Sequence, residues 1–238
     1  MKQLNIKIAF VGILAITSCK TDLKSSSAIN VSGALRDIMH KGDLSAKIDL
    51  RSLSNLKNLY ALGAVENLDG EILILNSKPH YSQVSSDSLI TNHDFEAKAS
   101  LLVSAEISDW QEREVTGVNK VDLENQLKNY SDKSNLESFP FLLKGIIKTL
   151  NWHIISWNPN DSIHTPEKHR NSGLHGILLN EPIKIVGFYS ENHQGVFTHH
   201  STNIHMHFIT QDERMTGHVD NLEIENGTKL FLPKTEVK

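Results

Sequence analysis

His205 to Gly227 reads HMHFITQDERMTGHVDNLEIENG, and three of its residues decide how the rest of the chain is read. His205-Met206-His207-Phe208 alternates histidine with apolar residues, the period-two texture of a strand. On a strand, residues i and i+2 share one face about 6.6 Å apart. Gln211 to Gly217 is turn-like, so a returning antiparallel strand brings His218 opposite the pair. Two imidazoles so spaced can converge on one ion at N–metal distances of about 2.0–2.1 Å. Three neutral nitrogen ligands with an open fourth position form the pattern of a catalytic zinc site rather than a closed structural one. Imidazole ligands also suit copper, iron and nickel, so another divalent transition metal fits the same spacing. The bland alternative is an ordinary strand with an incidental His-x-His.

The surroundings carry the same two signals. Ten of the thirteen histidines lie between His153 and His218. After Pro140 the chain is almost wholly β in texture. Phe141 to Leu150, Trp152 to Trp157, Ile183 to Tyr189, Val196 to His200, His205 to Thr210 and Leu230 to Leu232 are short β-type runs. Asn158-Pro159, Glu181-Pro182 and Asn226-Gly227 separate them with turn chemistry. This predicts an antiparallel, barrel-like C-terminal part over residues 140–238. His164, His169 and His175 fall in the polar stretch Asn158 to Gly176 and read as loop residues. His199-His200 reads as a solvated pair, because neighbours on a strand face opposite ways.

Upstream, residues 33–139 read as a mixed α/β part, giving an α+β chain overall. Leu35, Ile38 and Met39 carry a short helical pattern that Gly42 ends. Leu59 to Val65 and Glu71 to Leu75 are apolar strands joined by turn residues that end in Asp69-Gly70, which predicts a hairpin. Leu101 to Ile107 reads as another strand and Val121 to Tyr130 as an amphipathic helix. Glu71 opens an apolar strand directly after its turn. A carboxylate there can enter a pocket and exchange protons with a bound substrate, or simply sit at a strand edge in water.

The start of the chain reads as a targeting segment. Met1-Lys2 and Lys7 are basic, Ile8 to Ile16 is apolar, and Ile16-Thr17-Ser18-Cys19 resembles a bacterial lipobox. The apolar run is shorter than the roughly 20 residues a spanning helix needs. Residues 1–18 are therefore expected to be a signal peptide cleaved before Cys19, the only cysteine in the chain. Acylation of Cys19 then anchors the protein to the cell envelope without spanning the membrane. Residues 19–32, serine-rich and polar, are expected to form the lipidated tether. The 24 basic against 28 acidic residues give a net charge of −4, which offers no general attraction for nucleic acid.

Taken together, these pieces resemble the α-acetolactate decarboxylase family. Asn67-Leu68-Asp69-Gly70-Glu71 is similar to that family's hairpin motif of Leu, Asp or Asn, Gly and Glu before an apolar strand. His205 to Gly227 is similar in its His-x-His pair, acidic turn ending in arginine, Gly-His-Val and closing Glu-Asn-Gly, and Ile185-Val186-Gly187-Phe188 matches the preceding strand. The resemblance runs from about Gly33 to the C-terminus. It implies a two-part fold, a homodimer, and zinc held by His205, His207 and His218. It implies chelation of 2-acetolactate, loss of CO2 to leave an enediolate, and proton delivery by Glu71 to give acetoin. The family's active-site arginine has no counterpart in Asn151 to Trp157; His153 falls near that position, and Arg170 lies in the following stretch. The family's second glutamate, on a C-terminal tail, is not matched after His218. The expected substrate is accordingly 2-acetolactate or a related 2-hydroxy-3-oxo acid. Two alternatives stay open: other metal-dependent chemistry on the same scaffold, and a surface lipoprotein that binds metal without catalysis.

Overall fold

A computed structural model describes residues 29–86, 88–117 and 119–235. Cys19, the signal-like segment and most of the expected tether lie outside the described residues. The tether reading reached Ser32, but Asn30–Ser32 already form a strand, β1, paired with Leu102 to Ser104.

The first sheet continues through β2 (Ile48–Asp49), β3 (Leu59–Val65), β4 (Glu71–Leu75), β5 (Lys78–Ser85), β6 (Ser88–Asn92) and β7 (Lys98–Glu106), with helix α1 (Leu35–Lys41) between β1 and β2. Its strand order is β1-β7-β3-β4-β5-β6, with β2 also on β7, and its pairs are antiparallel. Gly42 ends α1 as expected, because its left-handed backbone (φ 63°) lets its N–H reach the Ile38 carbonyl. The β3–β4 hairpin is present, but its turn is more than an Asp-Gly pair. Glu66–Leu68 make a 3-10 turn, with Asn67 and Leu68 both at positive φ and Gly70 at φ 136°. A Cβ at Gly70 would meet the Ser82 carbonyl oxygen at 2.3 Å, so only glycine lets the chain pass there.

The second sheet comprises β8 (Trp110–Glu114), β9 (Ser138–Ile154), β10 (Leu174–Ser190), β11 (Ile204–Thr210), β12 (Thr216–Ile224) and β13 (Lys229–Pro233). Its order is β10-β11-β12-β9-β13-β8, with β10 also paired to β9. Helices α2 (Lys120–Ser134) and α3 (Pro166–Asn171) belong to the same half. The molecule is thus a sheet-rich α+β fold. The barrel-like part expected at the C-terminus is a six-stranded sheet that ends on strand β8.

Three boundaries differ from expectation. The second sheet draws in β8 and α2, which lie before Pro140. Phe141 to Leu150 and the start of the run Trp152 to Trp157 merge into the single 17-residue β9, which ends at Ile154, and the first half of β10 occupies part of what read as loop. Val196 to His200 is not a strand: the N–H groups of Val196, Phe197 and Thr198 all reach the His193 carbonyl, which closes a local turn. Its β-branched and aromatic composition reflects burial of Phe197 instead.

Side-chain alternation explains how the sheets stack. On β3 and β4, Leu59, Ala61, Ile72 and Ile74 face an outer cluster, whereas Tyr60, Leu62 and Leu73 face inward. The inner set packs against Leu142, Val186, Phe188 and Ile209 of the second sheet. The other face of the second sheet, including Phe139, Phe141, Phe208 and Leu222, is covered by Leu123 and Leu127 of α2. Glu71 has the parity of Leu73, and His205 and His207 that of Ile209. The period of two therefore sends all three into the layer between the sheets.

Candidate metal centre

The antiparallel register lines histidines up across the second sheet. His207 is the cross-strand partner of His218, and His218 in turn of His153. His205 Nε2 lies 3.1 Å from His218 Nδ1 and 3.2 Å from His207 Nε2. Ligand nitrogens of the three fall within 4.8 Å of one another, so His205, His207 and His218 form a possible three-histidine metal-binding group. His207 is fully buried, while His205 and His218 keep an edge on a cavity of about 570 Å3.

Two observations fit this group to a cation. The Ile72 carbonyl lies 2.8 Å from His207 Nδ1, so that nitrogen carries the proton and Nε2 turns its lone pair toward the other two rings. Burial also holds all three rings neutral. It lowers His205 to about 3, and pushes His207 and His218 well below the ordinary imidazole value, with neighbouring histidines adding to the effect. Neutral imidazoles with converging lone pairs are what a divalent ion requires.

Glu71 comes from the facing sheet and is 5% exposed, which excludes the solvated-edge reading. Its Oε2 lies 3.4 Å from His207 Nε2, and its Oε1 accepts from the Ile155 N–H at 3.3 Å and lies 4.0 Å from His153 Nε2. Burial raises the Glu71 pKa well above the carboxylate range; the Ile155 N–H opposes this and the Asp220 charge adds to it. Burial thus favours the protonated form of the Glu71 carboxyl.

His153 stands beside the group rather than in it. Its Nδ1 donates to Asp220 Oδ2 at 2.9 Å, leaving Nε2 toward Glu71. Asp220 sits at a β-bulge of β12 against β9, between Val219 and Asn221. Such a bulge re-aims one side chain. Burial alone would raise the Asp220 pKa, but the His153 hydrogen bond and the Arg170 contact outweigh it and keep the carboxyl below its ordinary value. Arg170 Nε donates to Asp220 Oδ1 at 3.1 Å, so the guanidinium noted in the sequence does reach the site, from α3. His153, His218 and Asp220 form a second cluster of liganding atoms that shares His218 with the first.

Several site residues were not singled out in the sequence. Asp220 follows His218 by two positions in a strand, where alternation alone would have placed it on the same face. Lys120 and Glu124 line the cavity from α2, which carried no metal-site texture. His169, read as a loop residue, is a buried helical one that also lines the cavity. His199 and His200 are exposed, in keeping with a solvated pair, although His199 reaches the cavity rim.

The fold and site thus define a two-sheet α+β protein with a buried three-histidine group and an opposed glutamate. The alpha-acetolactate decarboxylase family profile matches residues 34–237, and the chain belongs to that family. An alpha-acetolactate decarboxylase of Brevibacillus brevis is 25% identical over 198 residues, which cover 81% of this chain and 64% of that relative. The chain therefore spans a little under two thirds of the relative's length. Among solved structures, alpha-acetolactate decarboxylase from Bacillus subtilis strain 168 superposes with a TM-score of 0.70 at 15% identity, covering 87% of this chain and 86% of that one. A Staphylococcus aureus protein of unknown function, described as similar to alpha-acetolactate decarboxylase, gives a TM-score of 0.68 at 20% identity, with the same coverage of 87% and 86%. At these identities the structural likeness speaks for the fold.

Proposed function

We propose that this protein is a zinc-dependent carboxy-lyase that converts 2-acetolactate, or a closely related 2-hydroxy-3-oxo acid, to the hydroxyketone and CO2. The observation that carries the reading is the placement of a buried Glu71, its pKa raised by that burial, at 3.4 Å from a histidine of the three-imidazole group. His205, His207 and His218 would hold the ion, which when bound supplies Lewis-acid polarisation of the substrate's oxygens.

The chain's own residues account for the proton. When the C–C bond to the carboxylate breaks, its electron pair stays on the substrate as an enediolate and CO2 departs. Glu71 gives its proton to the carbon that lost CO2 and becomes a carboxylate. The net reaction consumes one proton from solvent, and His153, whose Nε2 faces Glu71 Oε1 at 4.0 Å, is placed to take it up at that nitrogen and pass it to the Glu71 carboxylate. Asp220 fixes the His153 tautomer by accepting from Nδ1. The Ile155 N–H orients the Glu71 carboxyl. Leu68, Ile155 and Phe197 supply apolar wall, which keeps the local dielectric low.

The test is to load the purified protein with zinc and follow CO2 and acetoin from racemic 2-acetolactate, beside a metal-free sample. Zinc-dependent acetoin release supports the reading. A chain that binds one zinc tightly yet releases neither product refutes the substrate assignment and favours other metal-dependent chemistry on this scaffold. The lipobox-like Ile16 to Cys19 motif further supports a proposal that the protein works tethered to the envelope membrane. Radiolabelled fatty acid incorporated into the wild type and absent from Cys19→Ser checks it.

A further inference from the structure

The cavity over the three histidines has two cationic side chains in its wall, and their electrostatic states differ. Arg170 is half exposed and its charge is matched by Asp220 at 3.1 Å. Lys120, the first residue of α2, is partly buried. Its Nζ donates to the Asp220 backbone carbonyl at 3.0 Å and forms no salt bridge among the described residues. Glu124, one turn along the same helix, is already engaged: Oε2 accepts from Thr202 Oγ1 at 2.9 Å and Oε1 from the Asn203 N–H at 2.6 Å. Of the other acids in the wall, Glu71 is taken up by the Ile155 N–H and His207, and Asp220 by His153 and Arg170. The first turn of a 15-residue helix, capped by Asn119, adds the positive end of its dipole to the same wall.

An ammonium withdrawn from water beside an apolar wall is costly unless something anionic meets it. Lys120 carries three donors and spends one on a carbonyl, so two remain for a ligand. We propose that Lys120 binds the carboxylate of the substrate and selects for small anionic 2-hydroxy acids in this cavity. This deepens the decarboxylase reading of the same site and rests on it for the identity of the substrate. The selectivity itself is a binding property that can be measured without turnover.

The experiment uses calorimetry on the zinc-loaded protein with two unreactive probes. 2-Hydroxy-2-methylpropanoate carries the carboxylate and the hydroxyl, and acetoin carries the oxygens without the charge. Lys120→Met is expected to weaken 2-hydroxy-2-methylpropanoate at least about tenfold while leaving acetoin unchanged, the signature of one lost charge-assisted contact. Lys120→Arg is expected to retain most of the anion affinity. Equal weakening of both probes, unchanged anion affinity in Lys120→Met, or no anion binding by the wild type would overturn the assignment. Zinc content and a cooperative melt establish that the variant is folded. Should Lys120→Met fail that check, Lys120→Gln removes the charge while keeping a donor for the Asp220 carbonyl. The two readings part cleanly. Lys120-dependent anion binding without acetoin production upholds Lys120 and sinks the decarboxylase, whereas turnover with Lys120-independent anion affinity does the reverse.

Discussion

At the scale of single residues, burial between two sheets acts in opposite senses on the pKa values of the site: it pushes the imidazoles and the Glu71 carboxyl alike toward their uncharged forms, lowering the pKa of the former and raising that of the latter. Of the three proposed ligands His207 is the least replaceable, because it is fully buried and its Nδ1 is committed to the Ile72 carbonyl. His207→Ala is expected to abolish stoichiometric zinc, as measured by metal analysis after gel filtration. Full zinc occupancy in that variant would show the ligand set to be wrong. Asp220→Asn tests the His153 tautomer. Replacing the acceptor carboxylate with an amide weakens its hold on His153 Nδ1 and frees Arg170. Turnover is expected to fall by about ten- to a hundredfold with zinc retained, within the range general acid–base steps contribute; loss of zinc instead would make Asp220 a determinant of metal binding.

At the scale of elements, close strand contacts depend on glycines that local pattern does not explain. A Cβ at Gly187 would lie 2.2 Å from the Phe141 ring, the fully buried cross-strand partner on β9. Gly187→Ala is expected to cost about 1–3 kcal/mol through overpacking, read as a lowered melting temperature with zinc stoichiometry intact. A melting temperature equal to wild type would mean that the ring moves aside freely. This also marks what could be read in the sequence. The β3–β4 hairpin and the His205/His207/His218 triad were legible because each depends on local alternation and one turn. The lengths of β9 and β10 were not, since Leu174 to Leu179 becomes a strand only by pairing with β9, whose partner residues lie 20 or more positions away in sequence. Asp220, two positions after His218 on β12, was within reach of the same alternation. Lys120 was hidden on a helix whose relation to the cavity is purely tertiary.

At the scale of the whole molecule, buried histidines outside the metal group couple stability to pH. His80, on β5, is 2% exposed and faces His93 with Nδ1 atoms 2.9 Å apart, and His169 packs edge-on against Trp157. Burial lowers both to about 4 from an ordinary value of 6.5. Their folded pKa values lie below the unfolded ones, so between pH 6.5 and 4 the unfolded chain binds more protons. Their contribution is therefore fully present above about pH 6.5 and is lost as pH falls toward 4. Urea midpoints of the metal-free protein are expected to drop across that window, and less steeply in His80→Gln. A midpoint independent of pH from 7 to 4.5 would contradict it.

The central claim is that Glu71 supplies a proton to chemistry organised by the three histidines without itself holding the metal. Its most direct measurement sets zinc content and acetoin release side by side for wild type and Glu71→Gln. The expected result is one zinc per chain in both proteins, with turnover reduced by about a hundredfold or more in the variant. Wild-type turnover in Glu71→Gln, or loss of zinc in step with loss of activity, would contradict the assignment of Glu71 as the acid.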